Sequence, residues 1–151
     1  MGTLSIFEIV TKIFELLILI AGGGIIAILT YKRSCYDAIW KFYELETTPE
    51  QIAAREIISD LPDDYMKNLT EEQRKHVLLL ANHYQNLGSL VMRHHLPLKM
   101  TYNSPIGISV IKYYEKLKPY IDSCRNGTNK YYQNECYAND FEWLYNKLKK
   151  K

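Results

Sequence analysis

Residues 16–30 read LLILIAGGGIIAILT and contain no charged side chain. Nine of these fifteen residues are Leu or Ile, and together they favour insertion into a bilayer by roughly 3 to 5 kcal/mol. As a helix the stretch is about 22 Å long, which is shorter than the ~30 Å hydrocarbon layer of a membrane. We therefore expect one transmembrane helix that extends upstream into residues 4–14.

Basic residues mark one end of this span. Lys32 and Arg33 follow it directly and Lys41 comes soon after, whereas Lys12 is the one basic residue before it. Segments rich in Lys and Arg stay on the cytoplasmic side of a membrane. The pattern predicts a single-pass protein of the inner (cytoplasmic) membrane whose C-terminal domain lies in the cytoplasm.

Three charged residues upstream of the apolar stretch form a polar stripe. Glu8, Lys12 and Glu15 are spaced four and three residues apart, so they share one helix face. The stripe either lies among lipid head groups or lines an interface or pore between copies, because charges inside a membrane rarely face lipid. Gly23 and Ala27, four residues apart, permit close packing of helices. We expect a homo-oligomer.

The remaining sequence reads as helices, with no alternating strand pattern of useful length. Four helix-start signals occur, at Thr48-Pro49, Thr70 to Gln73, Ser104-Pro105 and Asn139 to Glu142. Pro119 falls inside the third of these helices and is expected to kink or restart it. We predict an all-α chain in which residues 1–45 form a transmembrane helix and cytoplasmic stalk. Residues 46–151 then form a cytoplasmic domain of about four helices.

Charge is distributed unevenly along the cytoplasmic part. Residues 44–72 contain nine acidic and two basic residues, a net charge of −7, whereas residues 73–134 contain nine basic and two acidic residues, a net charge of +7. Two interpretations remain open. Either the two segments face and neutralise each other, or the basic segment meets an anionic ligand or surface.

Sequence signatures of enzymes are missing. The chain has no Walker loop, no Gly-x-Gly-x-x-Gly, no Gly-x-Ser-x-Gly and no His-Glu-x-x-His. Its three cysteines are odd in number and unpatterned, which suits a reducing cytoplasm. We expect a protein without enzymatic activity, cofactor or bound metal, and we expect no binding to DNA.

One stretch suggests a binding site for phosphate. Basic residues end one predicted helix, and polar residues lead into the N-terminus of the next, where free N–H groups and a partial positive charge attract anions. The candidate ligand-binding residues are Arg93, His94, His95, Lys99, Tyr102, Asn103 and Ser104. Gly107 would allow close approach of a ligand. The alternative is an ordinary loop with a Ser-Pro helix start. Three tyrosines, Tyr102, Tyr131 and Tyr132, lie among basic and polar residues, an arrangement that suits stacking on bases.

Three segments carry a resemblance to known proteins. NHYQNLG at 82–88, KPYI at 118–121 with Arg125, and FEWL at 141–144 resemble an uncharacterised family of small single-pass membrane-anchored bacterial proteins. This resemblance covers roughly residues 80–146 and implies an anchored helical domain without indicating an activity. By architecture and charge, the chain also resembles the small transmembrane effectors of type III CRISPR systems. That second resemblance implies a cytoplasmic helical domain that binds cyclic tetra-adenylate as an oligomer.

The sequence therefore favours a membrane-anchored, non-enzymatic effector. Its cytoplasmic domain would bind an anionic ligand, foremost a cyclic oligoadenylate second messenger, and binding would perturb the membrane helices in antiviral defence. The competing hypothesis is a constitutive membrane adaptor or scaffold that docks a protein partner.

Overall fold

The computed structural model describes residues 6–102 and 104–150. In this part of the chain the structure consists of helices and connecting turns, with no strand. The helices are α1 Ile6–Glu46, α2 Pro49–Asp60, α3 Glu71–Met92, α4 Pro105–Arg125 and α5 Asn139–Lys149. Short 3-10 turns, Tyr65–Lys67 and Leu98–Met100, lie in the connections before α3 and α4. The predicted all-α fold is confirmed.

Helix α1 contains the apolar stretch. Among the described residues it is the one helix that is long and apolar enough to cross a membrane, judged by its length and composition. Its large apolar side chains between Ile9 and Leu29 are exposed. Because an exposed apolar surface of this extent is unusual in water, it agrees with lipid as the surrounding medium.

The chain forms two compact units, and the boundary between them falls within α1. The first unit ends at Asp37 and the second begins at Ala38. Phe42 is buried in the core of the second unit, and Ile39 and Tyr43 pack against that core. The end of α1 thus belongs to the helical domain, whereas the sequence pattern assigned residues up to 45 to a stalk.

Three of the predicted helix starts have the expected cap. The hydroxyl of Thr48 accepts a hydrogen bond from the N–H of Gln51 at 3.4 Å. Thr70 and Gln73 form a reciprocal capping box, and the hydroxyl of Ser104 accepts from the N–H of Gly107 at 3.2 Å. Each cap satisfies a backbone donor that has no partner within its own helix.

The start of α5 differs from the prediction. Asn139 is the first helical residue instead of the cap, and Ala138 precedes it in the left-handed conformation with φ of 59°. The capping acceptor comes from α3, because Oε1 of Gln85 accepts from the N–H groups of Asp140 and Phe141, each at 3.0 Å. A side chain from another helix thus replaces the local cap.

Pro119 does not restart a helix. Helix α4 continues through it from Pro105 to Arg125. Pro119 and Glu115, one turn earlier, are both exposed. Glu115, whose carbonyl group loses its intrahelical donor at a proline, thus lies on the solvent-facing side of α4.

The core of the domain is built around aromatic rings from three helices. Tyr84 of α3 stacks on Tyr113 of α4 at 5.9 Å and on Phe141 of α5 at 5.2 Å between ring centroids. Tyr114 meets the edge of Phe141 at 5.1 Å. Tyr84, Tyr114 and Phe141 are fully buried, and such ring pairs stabilise a core beyond the area they bury. Helix α3 is thereby the central element of the domain.

A glycine allows α5 to approach α3. A Cβ atom on Gly88 would overlap the carbonyl oxygen of Asp140 in the first turn of α5. We expect Gly88→Ala to lower the free energy of unfolding by about 2 kcal/mol, because the two backbones must separate to relieve the overlap. The measurement is thermal and urea unfolding of the full chain in detergent micelles, followed by aromatic fluorescence.

The matched control for this prediction is Asn86→Ala, since Asn86 is exposed on the same helix. It should leave the free energy of unfolding within about 0.5 kcal/mol of wild type. Equal stability of the Gly88 and Asn86 variants would contradict the close approach of α5 to α3.

Candidate functional site

The sequence-predicted basic residues lie around the end of α3. Arg93, His94 and His95 are exposed and follow its last turn, and Lys99 lies in the 3-10 turn Leu98–Met100. His94 adopts the left-handed conformation with φ of 61°. The N–H groups of His95 and Leu96 both donate to the carbonyl oxygen of Leu90, so this turn closes the helix.

The polar residues of the predicted site make contacts that stabilise the fold. The hydroxyl of Tyr102 donates to the carbonyl oxygen of Lys147 at 3.0 Å. Ser104 caps α4, and a Cβ atom on Gly107 would overlap the carbonyl oxygen of Thr101. Gly107 therefore allows the preceding segment of the chain to approach α4. Asn103 lies outside the described residues, and ligand binding by this set stays a prediction.

The predicted polar stripe lies on α1. Glu8, Lys12 and Glu15 are exposed in the single chain. Their predicted place at an interface between copies or in a pore stays a prediction.

A second basic region surrounds a cleft in the helical domain. The cleft is a cavity of about 320 Å³ between the turn at residues 66–69, the first turn of α3 and the loop that joins α4 to α5. Lys67, Arg74 and Lys130 line it, and its lining contains no acidic side chain. A concave site with a single sign of charge concentrates ions of the opposite sign.

One of these cations is held in place by an aromatic ring. The guanidinium group of Arg74 lies 3.4 Å from the ring centroid of Tyr131. The side chain of Arg74 is half-buried, whereas 69% of the surface of Tyr131 is exposed. Stacking on a ring orients a guanidinium group while its N–H donors remain available for an anion.

The loop that carries Tyr131 is ordered by a buried amide. Oδ1 of Asn129 accepts from the N–H groups of Tyr131 at 3.0 Å and Tyr132 at 3.2 Å. Its Nδ2 atom donates to the hydroxyl of Ser123 and to the sulfur of Cys124, both at 3.3 Å. The loop is therefore fixed to the end of α4, and it presents Lys130 and Tyr131 to the cleft.

A buried tyrosine also lines the cleft. Tyr120 is 1% exposed, and its hydroxyl makes no hydrogen bond of ordinary geometry within the described residues, although the side chains of Asn129 and Cys124 lie near it. Burial raises the pKa of Tyr120 to about 12, with Cys124 and Asn129 as smaller influences. The hydroxyl thus keeps its proton at neutral pH and remains a donor.

Ion pairing neutralises the basic segment only in part. Within the described residues, two ion pairs join the two oppositely charged segments, Lys75 to Glu71 at 3.6 Å and Lys116 to Asp63 at 3.4 Å. Other bases pair within or beyond the basic segment, such as Arg125 with Glu142 at 2.6 Å. Within the basic segment, residues 73–134, the Lys and Arg residues without a carboxylate group of the described chain within 4.0 Å are Arg74, Arg93, Lys99, Lys112 and Lys130.

A buried polar cluster lies at the end of α1, inside the helical domain. Oε1 of Glu46 accepts from the hydroxyl of Tyr84 at 3.0 Å and lies 3.6 Å from the guanidinium group of Arg55. Nε2 of His83 is 4.0 Å from the same oxygen, and the ring of His83 stacks on Phe42 at 4.2 Å. Burial raises the pKa of Glu46 and lowers the pKa of His83 to about 4.

Sequence reasoning missed the cleft and this cluster. It noted Tyr131 for stacking but had no signal that Arg74 and Lys67 lie beside it. The nearest signal in the sequence was the net charge of +7 over residues 73–134. A net charge does not tell where in the fold the basic side chains converge.

Comparison with known proteins gives one match. A family model described as a domain of unknown function, DUF4760, matches residues 13–148. No curated protein and no solved structure is significantly similar to the chain. The matched range includes most of α1 as well as α2 to α5, so the apolar helix is part of the family pattern.

Proposed function

We propose that this chain, which belongs to the DUF4760 family, is a membrane-anchored, non-enzymatic receptor for an anionic ligand. The observation that carries the proposal is the cleft, where Lys67, Arg74 and Lys130 surround one cavity whose lining contains no acidic side chain. Two of these cations, Arg74 and Lys130, have no carboxylate partner among the described residues. An anion would supply the missing charge.

The anchor in this proposal is α1. Its exposed apolar side chains suit a hydrocarbon medium. Lys32, Arg33 and Lys41 favour an orientation that places the helical domain on the cytoplasmic side of the inner membrane. Glu8, Lys12 and Glu15 are better accommodated against other helices than against lipid, which favours a homo-oligomer.

Ligand binding would act on the membrane helices through differential affinity. A ligand that binds one arrangement of the oligomer more tightly than another shifts the population toward the first arrangement. Each charge-assisted hydrogen bond to phosphate contributes about 1.5 to 3 kcal/mol. Contacts that form in only one arrangement of the oligomer count toward this shift, and a full reversal from 1:99 to 99:1 requires a difference of about 5.5 kcal/mol.

The test is calorimetric binding to the full chain in detergent micelles, with cyclic tetra-adenylate, ATP and pyrophosphate as probes. We expect the double variant Arg74→Ala/Lys130→Ala to weaken binding at least tenfold, because two charge-assisted contacts are lost. Raising the salt concentration should weaken binding to the wild type as well, since exposed charges are screened over about 8 to 10 Å.

The matched control is Arg93→Ala/Lys99→Ala, which removes two cations from the site predicted by sequence. If this pair abolishes binding and the cleft pair does not, the receptor function stands and the ligand binds at the end of α3. If no anionic probe binds the wild type, the receptor proposal fails and the adaptor hypothesis replaces it.

A further inference from the structure

We infer that the ligand of the cleft is a phosphate ester that carries a planar ring, and that the Tyr120 hydroxyl donates a hydrogen bond to it. This inference rests on the proposed function, because it specifies the chemistry of the ligand in the same cleft. Three features of the cleft carry it: the hydroxyl of Tyr120, the stacked pair of Arg74 and Tyr131, and the size of the cavity.

The Tyr120 hydroxyl is a donor whose polar neighbours, Asn129 and Cys124, make only weak contacts with it. Its side chain is 1% exposed and lines the cleft, yet the hydroxyl makes no hydrogen bond of ordinary geometry within the described residues. A buried polar group without a hydrogen bond costs about 1 to 3 kcal/mol. An acceptor oxygen of the ligand would remove this cost, and the oxygens of a phosphate group are strong acceptors.

The cations place the phosphate group near this donor. Arg74 lies in the first turns of α3, Lys67 precedes that helix and Lys130 comes from the loop after α4, and all three line the same cavity as Tyr120. The Arg74 guanidinium is already oriented by its contact with Tyr131. A tetrahedral oxyanion accepts from several directions at once, which matches donors supplied by separate elements.

The stacked pair of Arg74 and Tyr131 favours a planar group on the ligand. Tyr131 is 69% exposed, and Arg74 covers its ring at 3.4 Å from the centroid. The amide of Asn129 fixes the backbone that carries this ring. An exposed aromatic ring of fixed position beside phosphate-binding cations is an arrangement that stacks on nucleobases, with about 1 to 3 kcal/mol per base.

The cavity size suits a small molecule. Its volume of about 320 Å³ lies at the lower end of the range of roughly 300 to 1,000 Å³ for small-molecule sites. One phosphorylated nucleoside unit is therefore the probe of choice.

The test compares three probes on the full chain in detergent micelles: inorganic phosphate, ribose 5-phosphate and adenosine monophosphate. We expect adenosine monophosphate to bind at least fivefold more tightly than ribose 5-phosphate, because the base stacks on Tyr131. Tyr131→Ala should abolish this difference and Tyr131→Phe should retain it. Tyr132→Ala serves as the control at the neighbouring exposed ring.

A second arm tests the hydrogen bond. Tyr120→Phe should weaken binding of all three probes about tenfold with little change in thermal stability, because it removes a hydroxyl that makes no hydrogen bond of ordinary geometry in the protein. Tyr137→Phe is the matched control, since Tyr137 also has a buried hydroxyl without a hydrogen bond but does not line the cleft. It should leave affinity unchanged.

The outcomes separate this inference from the proposed function. If the probes bind and depend on Arg74 and Lys130, but Tyr120→Phe and Tyr131→Ala change nothing, the inference is overturned and the anion receptor stands. If Tyr120→Phe lowers stability and leaves affinity unchanged, the hydroxyl bonds inside the protein, to Asn129 or Cys124, and the inference is again overturned. If no probe binds and cyclic tetra-adenylate, ATP and pyrophosphate do not bind either, both proposals fail.

Discussion

Replacing Glu46 by alanine is expected to destabilise the helical domain by about 3 kcal/mol. Glu46 is 7% exposed at the end of α1, where it accepts from the hydroxyl of Tyr84 and lies 3.6 Å from the guanidinium group of Arg55. Its removal takes the carboxylate group away from the buried Tyr84 hydroxyl and from Arg55, whose guanidinium group keeps a hydrogen bond to the backbone carbonyl oxygen of residue 46. Because Arg55 retains 22% side-chain exposure, we expect the lower end of the range for broken buried pairs.

The measurement is urea unfolding of the full chain in detergent micelles, and two further variants sharpen it. Glu50→Ala removes an exposed carboxylate four residues later and should change the free energy of unfolding by about 0.5 kcal/mol or less. Glu46→Gln keeps an acceptor for Tyr84 but loses the charge. Its free energy of unfolding should therefore lie between those of Glu46→Ala and Glu50→Ala. If Glu46→Ala and Glu50→Ala unfold alike, the cluster at the end of α1 makes no net contribution to stability.

The helix starts could be predicted where the capping interaction is local in sequence. Thr48, Thr70 and Ser104 each accept from a backbone N–H three residues later, so the pattern and the contact lie in the same short segment. The start of α5 could not be predicted in this way. Its acceptor is Gln85, which is 55 residues before Asp140 in the chain, and only the packing of α5 on α3 brings them together.

The candidate site could likewise be predicted only from residues that are close together in the sequence. The sequence placed the anion site at residues 93–104 because cations and a helix start are contiguous there. The cleft instead joins Arg74 to Tyr131, and these residues meet only when the loop after α4 is folded by the Asn129 amide. Composition indicated that the segment 73–134 is basic, but the positions where charge converges depend on tertiary contacts.

His83 should make the stability of the domain fall as the solution is acidified. Burial, with a smaller influence from Arg55, lowers the pKa of His83 from 6.5 to about 4 in the folded protein. Between these two pH values the unfolded chain binds a proton that the folded chain does not bind. The stability contributed by neutral His83 is therefore fully present above about pH 6.5 and is lost as the pH falls toward 4.

The expected loss is about 3 kcal/mol across this window, from a shift of roughly 2.5 pH units at 1.36 kcal/mol each. Glu46 acts in the opposite direction, because burial raises its pKa and its protonation favours the folded state as the pH falls. The free energy of unfolding of the wild type will therefore change less with pH than the contribution of His83 alone. A comparison with His83→Phe isolates that contribution, since the variant keeps a ring against Phe42 and cannot titrate.

Unfolding free energies of wild type and His83→Phe should diverge steadily in favour of the variant from pH 6.5 to 4.5. His83→Gln should show the same flattened pH dependence at lower overall stability, because it also loses the ring contact with Phe42 at 4.2 Å. The two variants thus separate proton binding from ring stacking. Parallel curves for wild type and both variants would mean that His83 is protonated to the same extent in the folded and unfolded chain, which would contradict its burial beside Arg55.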